Sequence, residues 1–139
     1  MRLSIFIFII IFSLSNCQES SNKDELKQIV DDLNKKCPKM IDSETKFEGI
    51  EFIEPNKIIY KFTLINLSVQ NVDTTQFKLA LWPGILSTVK VSSEMKKLRD
   101  NQTNIDYQYL DKYKRHFYTF KIIAIFLLSN IPIDVIGII

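Results

Sequence analysis

Residues 46–67 read KFEGIEFIEPNKIIYKFTLINL and decide the fold, because they place two runs of strand-forming residues on either side of one turn. Ile, Phe, Tyr and Thr are frequent in both runs, and Glu54-Pro55-Asn56 separates them. Such a pattern predicts a β-hairpin, with strands over Lys46–Ile53 and Lys57–Leu67. One face of the second strand is apolar and the other is half polar, which predicts a sheet with one side wet or only partly covered. The two faces carry Ile58, Tyr60, Phe62 and Leu64, and Ile59, Lys61, Thr63 and Ile65.

A helix is predicted before this hairpin, over Asn22–Lys36. Apolar residues recur in it at the spacing of one helical face, and Pro38 ends the segment. The members of that face are Leu26, Ile29, Val30, Leu33 and Cys37. Because Cys37 lies on the apolar face, we expect it to be a small core residue rather than a nucleophile.

Helical spacing returns after the hairpin, from Asp73 onward. Pro83 interrupts it, and proline inside a helix removes a hydrogen bond and clashes with the preceding turn. We therefore expect either a kinked helix or two short helices. A third short helix is predicted over Ser93–Arg99, with Met95 and Leu98 facing inward.

A second hairpin is predicted over Thr103–Leu110 and Arg115–Ile122, where apolar and polar residues alternate most clearly. The order of elements is then helix, hairpin, helices, hairpin. This order predicts an α+β fold in which the two hairpins form an antiparallel sheet with the helices on one face.

The composition suits one folded domain and argues against nucleic acid as a partner. The 139 residues include 18 basic and 16 acidic side chains, for a net charge of +2, and lysines are interleaved with acidic residues. Nucleic-acid binding normally requires a basic stripe or face. Three glycines leave no Gly-rich loop that could hold a phosphate group. No cofactor is indicated.

Residues 1–17 have the three-part plan of a secretory signal peptide: a basic start at Arg2, an apolar stretch, and a short polar end. The apolar stretch is about half the roughly 20 residues that span a bilayer. Leu14-Ser15-Asn16-Cys17 resembles the lipobox of bacterial lipoproteins, which favours lipidation of Cys17, although Asn16 replaces the usual small residue. Ordinary cleavage after Ser15 is the alternative. The chain is thus expected to be exported, as a membrane-anchored lipoprotein or as a periplasmic or secreted protein.

The predicted domain covers residues 18–121, and residues 122–139 form an apolar tail that does not fit the rest of the pattern. Pro132 and Asp134 make the tail a poor bilayer span. An additional packed strand and loop is the favoured interpretation. A membrane-associating tail comes second, and an altered reading frame third.

Several short motifs resemble those of a family of small exported bacterial proteins of unknown function. The resemblance covers roughly residues 25–121 and leaves out the tail. It implies export and an α+β fold, and it implies nothing about mechanism. The motifs are Cys37-Pro38-Lys39-Met40-Ile41-Asp42, Thr45-Lys46, Tyr60 to Asn66, Leu98-Arg99-Asp100-Asn101 and Tyr107-Gln108-Tyr109.

Two sets of residues are candidates for chemistry or binding. Cys37 and His116 are weak candidates for a nucleophile and its base; His116 is the only histidine, so a multi-histidine metal site is excluded. The candidate binding residues are charged residues at the ends of elements and tyrosines of the last hairpin, which suit a ligand or an interface. They are Asp42, Arg99, Asp100, Tyr107 and Tyr109.

The sequence favours a non-enzymatic envelope protein that binds another protein or a small ligand through the open face or the edge of its sheet. A thiol-dependent hydrolase using Cys37 and His116 is one alternative. An inhibitor or immunity-type partner of a secreted protein is another.

Overall fold

The computed structural model describes residues 17–124, which fold as three α-helices, one 3-10 helix and five strands. Residues 1–16 and 125–139, which hold most of the predicted signal peptide (1–17) and of the predicted apolar tail (122–139), lie outside the described residues. The elements are α1 (Cys17–Asn34), β1 (Lys39–Met40), β2 (Thr45–Ile53), β3 (Lys57–Leu64), the 3-10 helix (Val69–Asn71), α2 (Thr74–Val91), α3 (Lys96–Asp100), β4 (Asn104–Leu110) and β5 (His116–Ile122). This confirms the predicted α+β class.

The five strands form one sheet in the order β1-β2-β3-β4-β5. Both predicted hairpins are present, β2 with β3 and β4 with β5, and each pairs antiparallel. The sheet is mixed rather than wholly antiparallel, however, because β3 and β4 pair in parallel. The physical reason is the connection between them: it carries α2 and α3 and is long enough to return the chain to the same end of the sheet, as a parallel pair requires.

The core lies between the sheet and the helices, and a layer of stacked aromatic rings forms its centre. Ring centroids are 5.1 Å apart for Tyr60 and Tyr107 and 5.0 Å apart for Phe62 and Tyr109. Phe77 of α2 meets Tyr109 edge to face at 5.1 Å. Aromatic pairs in such geometries contribute about 0.5–1.5 kcal/mol each beyond the area they bury.

Helix α1 is joined to β2 by one side chain at its last residue. Asn34 Nδ2 donates to the carbonyl oxygen of Ile50 at 2.8 Å, and Asn34 Oδ1 accepts from the Ile50 N–H at 2.8 Å. The register of β2 against β3 shifts at the neighbouring Gly49, whose φ is +142°. A Cβ there would lie 2.7 Å from Asn34 Oδ1. Glycine is therefore needed at this bulge for both its conformation and its size.

Helix α2 is capped at its start and continues through its proline. Asp73 accepts from the N–H groups of Thr75 at 2.8 Å and Gln76 at 3.3 Å, as an N-cap residue does. The helix then runs without interruption past Pro83, so the alternative of two separate short helices is wrong. The predicted third helix is present as α3, and Met95 and Leu98 are buried as expected.

The turn between β4 and β5 is built around a buried carboxylate. Asp111 is 1% exposed and accepts from Arg115 Nε at 2.9 Å and from Arg115 Nη2 at 2.6 Å. The N–H groups of Val69 and Tyr113 also donate to it, at 3.2 Å and 2.9 Å. Arg115 Nη2 continues to Ser68 Oγ at 3.0 Å. The hairpin turn is thus tied to the 3-10 helix region.

Candidate binding surface

All three α-helices pack on one face of the sheet, which leaves the other face without a helix among the described residues. Side chains alternate between the faces along each strand. In β3, Ile58, Tyr60 and Phe62 join the core beneath the helices. We call the opposite side the helix-free face. Its two central cross-strand rows are Glu51, Ile59, Asp106 and Lys121, and Lys61, Gln108 and Thr119.

Charged side chains on the helix-free face are paired across neighbouring strands. Lys57 Nζ lies 2.6 Å from Asp106 Oδ2, and the Asp106 side chain is only 9% exposed. Lys61 Nζ lies 2.6 Å from Glu51 Oε2 in a more exposed pair. Both pairs are diagonal neighbours on adjacent strands, which long side chains can reach across, and opposite charges in this arrangement stabilise a sheet and cancel its local field. The surface is therefore polar but close to neutral, with Ile59 half-buried between its charges.

The β4–β5 turn extends one lysine over this face. Lys114 Nζ contacts Glu48 Oε1 and donates to Thr63 Oγ1 at 2.8 Å. Burial would raise the pKa of Glu48, but the hydrogen bonds from Lys114 and Thr63 outweigh it and hold that pKa below its usual value. Thr63 itself is 3% exposed. This contact closes one end of the helix-free face.

The predicted binding residues Tyr107 and Tyr109 lie on the opposite, helix-covered face. Both rings belong to the buried aromatic layer. Burial, with a smaller effect of the Asp42 carboxylate, raises the pKa of Tyr109 to about 12. Asp42 is exposed and accepts from the N–H groups of Glu44 at 2.8 Å and Thr45 at 2.7 Å. Asp42 thus stabilises the turn between β1 and β2, while Tyr109 is part of the core.

Arg99 and Asp100 lie on α3, away from the helix-free face. Arg99 Nη1 donates at 2.8 Å to the carbonyl oxygens of both Val89 and Ser92, at the end of α2. A cation at a helix C-terminus satisfies carbonyl groups that lack partners within the helix. Asp100 forms an exposed ion pair with Lys96, one turn earlier. These contacts are those of a helix-capping cluster.

Cys37 and His116 are not brought together. Cys37 carries a free thiol beside β2, where its Sγ donates to the Leu33 carbonyl oxygen at 3.3 Å. His116 is exposed at the start of β5, with Nε2 2.9 Å from Thr119 Oγ1. The strands β2 and β5 are three positions apart in the sheet, a separation of roughly 14 Å. The two residues therefore do not form a nucleophile–base pair in this fold.

The charged pairs of the helix-free face were not among the residues singled out by sequence. In the sequence, each of these charged residues resembles an ordinary solvated side chain, because its partner lies far away in the chain or its neighbours are apolar. Examples are Glu48, Lys57 and Lys114. Strand alternation could have placed them on one face. Their partners depend on the parallel register of β3 and β4, for which the sequence has no local pattern.

Two further features bear on possible sites. Within residues 17–124 no group of three or more His, Cys, Asp or Glu side chains is arranged to hold a metal ion. Across the same residues, the helices are all too short or too polar to cross a bilayer.

The fold and surface define an α+β domain with one helix-covered and one helix-free sheet face. The chain belongs to the family described as a domain of unknown function (DUF8479), which matches residues 20–118. This supports the predicted membership of an uncharacterised family. A comparison with curated proteins finds no match.

Two solved structures share the fold. One is a Pseudomonas aeruginosa protein inferred to be secreted, with a TM-score of 0.63 and 12% identity over 81% of this chain and 98% of that chain. The other is the pilotin EpsS of the Vibrio vulnificus type 2 secretion system, with a TM-score of 0.51 and 10% identity over 77% of this chain and 88% of that chain. At these identities the likeness establishes the fold alone.

Proposed function

We propose that this protein is an exported, non-enzymatic binding module of the cell envelope, which binds another protein through the helix-free face of its sheet. The leader and the lipobox-like Leu14–Cys17 stretch support export, with lipidation at Cys17 or release after Ser15 as the two forms. The separation of Cys37 from His116 removes the main support for a thiol hydrolase.

The observation that carries the proposal is the uncovered sheet face itself. It presents half-buried Ile59 and Leu110 among side chains such as Gln108 and Lys61. Protein interfaces of the non-obligate kind have this mixture of apolar and polar surface. Because the carboxylates of Glu48, Glu51 and Asp106 on this face are each paired with a lysine, a protein that covers the face does not leave these carboxylates isolated.

The two structural neighbours support the same class of function. One is named as a protein inferred to be secreted and the other as a pilotin of a secretion system. A small envelope protein with a protein partner is the role that this likeness suggests for the present chain.

Site-specific photo-crosslinking tests the proposal in intact cells of the source organism. A photoreactive residue at Gln108 reports on the centre of the helix-free face. The same residue at Ser87, which is exposed on α2, is the control position. We expect a discrete crosslinked protein from position 108 and none from position 87. Equal products from both positions, or none from position 108, would exclude the helix-free face as the binding surface.

A charge reversal gives a second, independent readout. Lys61→Glu replaces the exposed Lys61–Glu51 pair on the helix-free face by two like charges. Lys96→Glu does the same to the exposed Lys96–Asp100 pair on α3 and is the matched control. The crosslink from position 108 is expected to weaken only in the Lys61 variant. Mass spectrometry of the crosslinked protein would show whether the partner is a secreted enzyme or toxin, as an inhibitor or immunity role requires.

A further inference from the structure

Lysines outnumber carboxylates on the helix-free face. Strand alternation places four lysines and three carboxylates of the described strands on this face, and a fifth lysine reaches over it from the β4–β5 turn. The lysines are Lys46, Lys57, Lys61, Lys114 and Lys121, and the carboxylates are Glu48, Glu51 and Asp106. With His116 neutral at pH 7, the described part of the face carries an excess of two positive charges.

One of these two charges lies at Glu48. The Oε1 atom of Glu48 contacts Lys114 Nζ, and its Oε2 atom lies 3.4 Å from Lys46 Nζ. Each oxygen of the carboxylate therefore binds one ammonium group, so two positive charges share one negative charge. An ammonium group has three N–H donors. Both lysines thus keep the capacity to donate to a further acceptor.

The other charge lies at Lys121, on the outer strand β5. Lys121 is directly opposite Asp106 of β4 in the ladder. Asp106, however, forms its ion pair with Lys57 on its other side, at 2.6 Å. Lys121 is exposed and forms no ion pair with a described residue. A carboxylate of a partner protein can therefore approach Lys121 without breaking an existing pair.

Both sites of excess charge fit within one interface. Lys46 lies in the cross-strand row of Thr63, four residues along β3 from the row that holds Ile59 and Lys121. At about 3.3 Å per residue and 4.8 Å per strand, the Cα atoms of Lys46 and Lys121 are roughly 20 Å apart. An interface of the usual size, about 800 Å² per partner, is about 30 Å across. One partner protein can therefore contact both sites.

The surface between the two sites is closer to neutral. It holds Gln108, Thr119 and half-buried Ile59. Its lysine, Lys61, is paired with Glu51 at 2.6 Å. Protein interfaces typically have few charges at their centre and a polar, solvent-accessible rim. The helix-free face has this arrangement, and its rim is positive.

Other anionic partners suit this distribution less well. Anionic lipid is bound by clusters of about four to eight basic residues, and nucleic acid by a basic stripe that neutralises several phosphates. On the helix-free face, four of the lysines are already held by carboxylates, and only two charges are in excess. A few carboxylates on a protein surface are enough to match them.

We infer that the partner of the helix-free face is a protein with an acidic contact surface. Its carboxylates bind Lys121 at one margin of the face and Lys46 with Lys114 at the other. The inference rests on the proposed function, since it names the chemistry of the partner at the same surface. Complementary charges of this kind speed association and exclude partners of the wrong charge.

Charge variants combined with photo-crosslinking in cells of the source organism test the inference. The photoreactive residue again replaces Gln108. Lys121→Gln and Lys46→Gln each remove one positive charge, and each is expected to lower the yield of the crosslinked protein about two- to fivefold, as for loss of an exposed ion pair. Glu51→Gln removes a negative charge from the same face and is expected to raise the yield. Lys36→Gln is the matched control, because Lys36 is exposed beyond the end of α1 and its loss changes the net charge equally.

The rise expected for Glu51→Gln separates the chemistry of the partner from damage to the fold, because a misfolded variant only lowers the yield. Mass spectrometry is expected to find several Asp or Glu residues near the crosslinked position of the partner. Yields that are unchanged in the Lys121 and Lys46 variants, or an equal loss in the Lys36 variant, would overturn the acidic partner and leave the helix-free face as the binding surface. Lipid attached at position 108 would overturn it in favour of an anionic membrane. No crosslink from position 108 would overturn the proposed function and the inference together.

Discussion

Arg115 holds the carboxylate of Asp111 with two nitrogen atoms, Nε at 2.9 Å and Nη2 at 2.6 Å, at the turn of the last hairpin. Asp111 is 1% exposed, and backbone N–H groups bind its remaining acceptor positions. A carboxylate bound in this way organises the turn from which Lys114 reaches the helix-free face.

Asp111→Asn is expected to lower the midpoint of thermal unfolding clearly. An amide keeps the shape of the side chain but loses the charge that Arg115 neutralises. Its NH2 group would also face donors, either the two Arg115 side-chain nitrogens at Oδ2 or the N–H groups of Tyr113 and Arg115 at Oδ1. Circular dichroism during heating measures the midpoint. Asp100→Asn is the control, because the Asp100–Lys96 pair is exposed and such pairs contribute little. Equal midpoints for the Asp111 variant and the wild type would show that the bond network does not stabilise the turn.

The stability of the protein should fall in acid through Asp111. Burial would raise the pKa of Asp111, but the hydrogen bonds from Arg115 and from three backbone N–H groups outweigh it and hold the pKa well below the ordinary value. The unfolded chain then binds the proton more readily than the folded chain. The stabilisation is present in full above the unfolded pKa of about 3.9 and is lost as the pH falls toward the folded pKa.

Urea unfolding at several pH values between 6 and 2.5 checks this pH dependence. The free energy of unfolding of the wild type is expected to fall more steeply below about pH 5 than that of Asp111→Asn, which has no carboxyl group to titrate. Parallel curves for the two proteins would assign the acid sensitivity to other carboxylates.

Gly49→Ala should destabilise the domain by about 2 kcal/mol or more, because alanine at a φ of +142° is strained and its Cβ would approach Asn34 Oδ1 within 2.7 Å. Gly84→Ala is the matched control. Nothing lies within 4 Å of a Cβ at Gly84, which is inside α2, so that change is expected to stabilise by roughly 0.5–1 kcal/mol. Urea unfolding of both variants gives the comparison, and effects of the same sign would contradict the assigned role of Gly49.

Tyr107→Phe is expected to leave stability unchanged or to raise it by about 1 kcal/mol. Its hydroxyl is buried without a hydrogen-bond partner among the described residues, and such a group costs free energy. Tyr60→Phe is the comparison, since the Tyr60 hydroxyl lies 3.6 Å from Met95 Sδ and its removal should cost a few tenths of a kcal/mol. A marked loss of stability in Tyr107→Phe would mean that the hydroxyl has a partner, such as a bound water molecule.

Labelling of Cys37 with a thiol reagent should be slow in the folded protein and independent of His116. The thiol is partly buried against the core and donates to a backbone carbonyl oxygen, and the imidazole is several strands away. In a Cys17→Ser background, His116→Ala is expected to leave the labelling rate unchanged. A slower rate in that variant would restore the thiol-enzyme hypothesis.

Much of the fold could be predicted from local patterns. The first helix was expected over Asn22–Lys36 and runs over Cys17–Asn34, and the hairpin strands agree to within three residues. These elements were found because one face of each is buried, so apolar residues recur with the period of the helix or strand. At Pro83 the prediction of two short helices was wrong, because a helix that packs on the core tolerates the hydrogen bond that proline removes.

The binding residues were harder to predict, for a physical reason. Tyr107 and Tyr109 are amphipathic and suit either an interface or a core, and the structure places both in the core. Asp111 was not singled out, although it is the most buried carboxylate of the described residues. A buried charge is recognisable only once its partners are known, and those partners come from separate parts of the chain.

The sequence alone determined the α+β class, the positions of the four hairpin strands and the apolar faces of the main helices and strands, because these depend on residues close together in the chain; the short β1 was not predicted. Only the tertiary structure decided that β3 and β4 pair in parallel, which charged side chains pair across the sheet, and that Cys37 and His116 lie apart. Those features depend on which distant segments of the chain become neighbours in the fold. The arrangement that buries the whole core is the stable one, and contacts between distant segments produce no periodic pattern of apolar residues in the sequence.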